Sequence, residues 1–285
     1  MTKVKIMTDS TADLPEGMAD QLGIAVIPLY VNMGGQSYLD GADMDPEQLF
    51  AQVEAGGEFP KTAAPSTGDF LEPFTQARAA GQDIVFVGLS ARLSGTVQIA
   101  RVAAEIAGGG HIHVVDSMSL STGTGILAME GARMAEQGME AAEIVRRLEA
   151  LRPRYRASML IDTMSYLHKG GRCSTLKLYG ANLLGIKPEV ELREGLLVPA
   201  KLFRGSSAKA ARAYLQYRFA DLSAIDPAYV VLSMAAGQKA GVAELAERFI
   251  QSLGFFRRIY RVTAGCVISA HVGPGAVGIL TRSPA

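Results

Sequence analysis

At 285 residues, the chain is long enough for two domains of roughly 150 residues each. Its 28 basic residues balance 28 acidic ones, and 48% apolar with 20% charged residues excludes an intrinsically disordered chain. That balance leaves no global field to draw the chain to nucleic acid or to anionic lipid. No apolar run approaches the ~18 residues of a bilayer span, so stable membrane insertion is not expected. The opening MTKVKIMTDSTADLP has no signal-peptide core. Cys173 and Cys266 make no disulfide framework, and a reducing cytoplasm is the default expectation.

The first half alternates in a βα rhythm. Val4 to Thr8 reads as a short buried strand, and Ile24 to Val31 as another interrupted by Pro28. Asp45 and Pro46 look like the cap and first residue of a helix ending at Gly56. Ile84 to Leu89 is a nearly continuous apolar run of the kind parallel sheets use. The next helix carries Ile99, Val102, Ala103 and Ile106 on one face and closes at Gly108. Ile112 to Val115 is the following strand, and a helix opens near Gly123. Ile144, Val145, Leu148 and Leu151 mark a further helix that Pro153 ends, and the five arginines between Arg146 and Arg156 read as its solvated face and a linker. Beyond it the rhythm changes. Gly185 to Leu192 and Leu196 to Phe203 form a hairpin pattern around Arg193, Glu194 and Gly195. Helices are expected over Ser206 to Phe219 and Gln238 to Leu253, with strands near Val230, Ile259 and Val267. The expected fold is α/β in two domains. Residues 1–154 make an open parallel sheet with helices on both faces, and residues 155–285 make a mixed-sheet α+β domain.

Several chemistries lack support. Gly273 to Gly278 spells GxGxxG, but only seven residues follow, too few for a crossover helix and second strand. Gly123 to Ala128 fits the looser form of that motif without the tight strand-to-helix turn, and no P-loop string occurs. His111 and His113 would share a face of one strand near Asp116, which reads as a polar strand edge, and the two cysteines lack zinc-site spacing. No metal is expected. Gly88-Leu89-Ser90-Ala91-Arg92 has arginine where a nucleophile elbow needs glycine.

What remains is a set of hydroxyls at strand ends, where open parallel sheets bind ligands. Asp9, Ser10 and Thr11 follow the first strand; Ser90, Ser94, Gly95 and Thr96 follow the Ile84 strand; Asp116, Ser117 and Ser121 follow the Ile112 strand. Each cluster reads either as an ordinary helix cap or as part of an anion site. Pro60 to Asp69 is a loop by composition, in which Ser66 caps the next helix and leaves Thr62 free to face a ligand. Lys169 to Arg172 breaks a helix and leaves an arginine beside two glycines. His271 precedes Gly-Pro-Gly-Ala, so an imidazole is held by a rigid turn at the end of an apolar strand.

Seven strings in register resemble the DegV family, which includes the fatty-acid-binding subunits of bacterial fatty acid kinase. They are TDSTADLP from Thr8, TAAPSTGDF from Thr62, LSARLSGT from Leu89, DSMSLSTGTG from Asp116, YLHKGGR from Tyr166, LLGIKP from Leu183 and HVGPGA from His271. The resemblance implies two α/β domains with a long-chain fatty acid between them and no other cofactor. It implies that Thr62 and Ser94 hold the carboxylate; Gly95, Ser10 and Ser121 of the strand-end clusters are expected to bind the ligand with them. It further implies that Arg172 and His271 support phosphoryl transfer by a separate ATP-dependent fatty acid kinase subunit. The chain itself would then be no enzyme. Ala63 and Ala64 stand where the family often has Ser-Gln, Cys173 replaces an aliphatic residue, and Thr122 replaces a methionine. The competing reading is an enzyme acting on a small anionic or carbonyl substrate through His271, as nucleophile or general acid. A third is an interaction protein whose hydroxyl clusters are only caps.

Overall fold

The apolar run expected to open the fold does so as β1 (Val4–Asp9) in a computed structural model that describes residues 3–173 and 185–284. A short helix α1 (Met18–Gln21) leads to β2 (Ala25–Ile27). The single strand expected over Ile24 to Val31 is two. Pro28 has no N–H to give a ladder, and after it β3 (Tyr30–Met33) turns away to pair antiparallel with β4 (Gln36–Leu39). Helix α2 (Pro46–Glu54) starts on an Asp45–Gln48 capping box. Lys61–Ala63, expected as loop, is instead a third strand of this small sheet, β5, because its backbone finds free partners on β3. Ser66 caps α3 (Thr67–Ala79) as expected.

Strand β6 (Asp83–Gly88), helix α4 (Thr96–Ala107), strand β7 (Ile112–Asp116) and helices α5 (Thr122–Glu136) and α6 (Ala141–Leu151) complete the first half. Its sheet runs β2-β1-β6-β7, all parallel. The side chains of β6 alternate faces. Ile84 and Phe86 pack with Phe70, Phe74 and Ala103 of α3 and α4, while Val85 and Val87 pack with Leu127, Ile144 and Leu148 of α5 and α6. Helices thus cover both faces. His111 lies in a 3₁₀ turn before β7, bonded to Asp83, so it does not share a strand with His113.

The second half is β8 (Tyr155–Leu160), α7 (Met164–Gly170), β9 (Ile186–Arg193), β10 (Leu196–Arg204), α8 (Ser207–Arg218), β11 (Val230–Met234), α9 (Val242–Ser252), β12 (Ile259–Thr263), α10 (Cys266–Val272) and β13 (Val277–Arg282). Its mixed sheet runs β10-β9-β8-β13-β11-β12. The hairpin β9–β10 turns on Glu194 and Gly195, both with positive φ, the backbone a two-residue hairpin needs. The strand expected near Val267 is the helix α10. A short, mostly apolar segment does not distinguish the two by periodicity, and carboxylates from the first half supply its N-terminal acceptors. Nor are Arg152 and Arg154 merely solvated: they bond the carbonyls of Asp116 and Ser283. Leu183 and Leu184 of the LLGIKP string lie outside the described residues. Among the described residues, no helix is long and apolar enough to cross a membrane.

Two kinds of buried contact stand out among those that join the halves. One is a shared core in which α5 and α6 meet Tyr229, Val231, Tyr260, Val262 and Leu280 of the mixed sheet. The other is a buried carboxylate cluster at the ends of β1 and β4. Asp9 accepts the Leu89 amide (2.8 Å) and the Thr11 amide (3.0 Å). Asp13 accepts the Gly265 amide (2.8 Å) and the Ser121 hydroxyl. Asp40 accepts the Cys266 amide (2.7 Å) and the Ser10 hydroxyl (2.8 Å). Among the described residues none of the three is paired with a cation. Burial therefore raises Asp9 to about 6 and Asp13 to about 8, and lifts Asp40 in the same direction.

These groups bind protons more tightly in the folded chain than in the unfolded one. Their stabilisation is full below about pH 4 and is lost as pH rises, through about 6 for Asp9 and about 8 for Asp13. His271, whose neutral form is favoured, acts in the opposite sense only below about pH 6.5. Urea denaturation is therefore expected to show stability falling from pH 6.5 to 8, by up to ~1.4 kcal/mol per pH unit. Asp13→Asn should flatten that slope; an unchanged slope would assign it to other groups.

Candidate functional site

The two halves leave an apolar cavity of about 70 Å³ between them. Leu29, Leu89, Leu93 and Leu120 line it from the first half, and Leu197, Val267, Ile268 and Val272 from the second. Four polar residues join that wall: Thr62, Ser94, Arg172 and His271. Each arrives by a different device. Thr62 sits on β5, held in place by pairing with Val31. Ser94 precedes α4, where its hydroxyl bonds the Thr96 hydroxyl (2.9 Å) and accepts the Thr96 amide (3.3 Å). Arg172 follows α7, which ends on Gly171 with φ 69°, and it donates to the Gly170 carbonyl (2.8 Å). His271 lies in the last turn of α10, not at a strand end, and Gly273 closes that helix with φ 79°.

Thr62 Oγ1 and His271 Nε2 are 2.8 Å apart, a bond between residues 209 positions apart. His271 Nδ1 is buried without a hydrogen-bond partner among the described residues. Burial, with the Arg172 charge nearby, lowers the imidazole to about 4. At neutral pH the ring is uncharged, able to donate one hydrogen bond and accept one. Arg172 is exposed at the mouth. Among the described residues, the result is a neutral, hydroxyl-rich pole with one cation at its rim, opening onto hydrocarbon. Such an arrangement suits an amphiphilic anion.

Gly95, Ser10 and Ser121 lie elsewhere. Gly95 caps α4 behind Ser94 and is not part of the lining. Ser10 donates to Asp40 and accepts the Leu29 amide (3.0 Å), so its hydroxyl is committed to the carboxylate cluster. Ser121 donates to Asp13 and borders a second cavity of about 40 Å³. That cavity is mostly apolar and adjoins the first through Leu120, Ile268 and Val272. Its walls include Ala157, Ala235, Ala264, Ala276 and Gly278, small residues that leave a passage between sheet and helix. Sequence reasoning missed these and the apolar lining, which come from segments remote in the chain. The glycines of both GxGxxG-like strings have structural roles. Gly273 and Gly275 take positive φ in the turn before β13, and a Cβ on Gly125 would fall 2.2 Å from the Ala12 carbonyl oxygen. Among the described residues, no group of three or more His, Cys, Asp and Glu side chains is arranged to hold a metal ion.

A sequence profile described as an uncharacterised protein, DegV family, matches residues 3–283. A DegV domain-containing protein of Caldanaerobacter subterraneus subsp. tengcongensis is 32% identical over 279 residues, 98% of each chain. One from Deinococcus radiodurans is 33% identical over 97% of each. Among solved structures, a fatty-acid-binding DegV family protein from Thermus thermophilus superposes with TM-score 0.88 at 28% identity, covering 99% of this chain and 100% of that one. DegV from Bacillus subtilis, described as a fatty acid binding protein, superposes with TM-score 0.85 at 25% identity, covering 100% of both chains.

A Cβ on Gly170 would fall 2.4 Å from His271 Nδ1. Gly170→Ala is expected to displace the ring and destabilise the fold by about 1–3 kcal/mol. Thermal melting and the His271 ring resonances check this; wild-type values for both would show that α7 yields instead.

Proposed function

The chain belongs to the DegV family, and on that premise we propose that it binds a long-chain fatty acid between its two halves and presents the carboxylate to a separate kinase. The observation that carries this reading is the convergence of Thr62, Ser94, Arg172 and His271 at one pole of an apolar cavity. The Thr62 and Ser94 hydroxyls donate to the carboxylate. Each such charge-assisted bond contributes roughly 1.5–3 kcal/mol. His271, neutral at physiological pH, keeps Thr62 oriented without adding a charge that would trap the acid. Burying the ~14 methylenes of a C16 chain supplies about 11 kcal/mol gross, from which association and ordering costs take several. The tail thus retains the lipid and the head sets its direction.

The chain carries no P-loop, and the ATP belongs to the partner. A carboxylate oxygen attacks the γ-phosphorus, the bond to the bridging oxygen breaks, and ADP leaves with acyl phosphate remaining. Arg172, exposed at the mouth, stands where it can offset charge on the transferring group. A reducing cytoplasm fits this role. The alternative, an enzyme acting on a small polar substrate through His271, is less well served by a cavity walled mainly by leucine, valine and isoleucine.

Organic extraction of purified protein followed by mass spectrometry is expected to yield a C14–C18 acid at near one equivalent; an empty or polar pocket would favour the alternative. Arg172→Ala and His271→Ala should still copurify with lipid but fail in phosphoryl transfer with the kinase. Ser94→Ala should weaken phosphorylation more than lipid retention. Full turnover by the arginine or histidine variant would remove that residue from the site.

A further inference from the structure

Beyond the second cavity lies a third and much larger space of about 900 Å³, a cleft bordered by charged residues including Glu149, Arg152, Arg156 and Asp221. The second cavity and this cleft share two wall residues, Ala157 and Leu192. The two stand one step along the antiparallel ladder from the Ser158–Glu191 pair of β8 and β9. Alanine adds almost nothing to the wall, so the Leu192 side chain is the main barrier between an apolar channel and a wider cleft that carries charged side chains. Its backbone is held in place. Two residues on, Glu194 receives Arg92 (2.9 Å), and Gly195 receives the Ser90 hydroxyl (2.8 Å), both from the first half.

We propose that Leu192 is the end stop of the acyl channel and sets the longest chain the protein accepts. The inference rests on the fatty-acid reading above and adds the residue that discriminates among acids. A chain that fits the channel gains burial with every carbon. A longer one must push Leu192 aside, and its methyl end would then leave the narrow apolar channel for a wider cleft edged by charged side chains, where it gains less burial.

The test is competition binding of saturated acids from C12 to C22 to wild type, Leu192→Ala and Leu192→Trp, each first shown to melt cooperatively. Wild-type affinity should rise by about fourfold per added methylene, pass a maximum and then fall. In Leu192→Ala the fall should become a plateau, because extra methylenes pass into the cleft and stay hydrated. In Leu192→Trp the maximum should move to a shorter chain. Leu192→Val, which removes a single methylene, should soften the fall in the same direction if the alanine variant is unfolded. The same maximum and the same fall in every folded protein would overturn the proposal. Failure of the wild type to bind any of the acids is a different result, and it would overturn the fatty-acid reading itself.

Discussion

Three buried carboxylates, unpaired with any cation among the described residues, hold this molecule in its working shape. Asp9, Asp13 and Asp40 spend their oxygens on backbone amides and hydroxyls of segments that line the cavity. Leu89 is fixed through Asp9, Leu29 through Ser10 and Asp40, the start of α10 through Asp13 and Asp40, and Ser121 through Asp13. Leaving a buried amide unpaired costs about 1–3 kcal/mol, so each of these segments has one position that satisfies it. Gly265 shows how tight the arrangement is: a Cβ there would lie 3.1 Å from Asp40 and 3.2 Å from Asp13. The end of α10 fixed in this way determines where His271 stands at the other.

The polar pole of the cavity follows from that clamp. His271 reaches Thr62 only because α10, from the second half, and β5, from the first, are docked against each other. Burial keeps the imidazole neutral, and Arg172 at the rim keeps a positive charge within influence of it. A site with neutral donors inside and one cation outside attracts an anion without sealing it in. That property suits the role proposed above, in which a second protein reaches the ligand.

Much of the fold could be read from residue pattern, because parallel strands buried on both faces leave continuous apolar runs and amphipathic helices repeat at 3.6 residues. Ile84 to Leu89 and the hairpin at Glu194-Gly195 carry such local signatures; the helix expected around Ile99 forms, but it buries Val97, Ala100, Ala103 and Ala104 and leaves Val102 and Ile106, expected on its apolar face, exposed. The reading failed where the signature was ambiguous. Cys266 to Val272 is mostly apolar and serves equally as strand or helix until Cys266 and the preceding Gly265 find Asp40 and Asp13. Lys61 to Ala63 is a strand only because β3 offers it a partner. Val277 to Arg282, a central strand of the mixed sheet, carries Gly278 within it and sits beside a glycine-rich turn that dominates the local composition.

By itself the sequence determined the class of fold, the family, and which side chains could carry polar chemistry: Thr62, Ser94, Arg172 and His271 are identifiable from their motifs. It also marked Ser10 and Ser121, but it could not say that their hydroxyls belong to the carboxylate cluster, since Asp40 lies 30 residues from Ser10 and Asp13 lies 108 from Ser121. Only the tertiary structure decided which hydroxyls face the cavity, that His271 stands on a helix, and that two apolar cavities adjoin. The physical reason is that each of these depends on a docking contact between distant segments, and no local run of residues encodes its own partner.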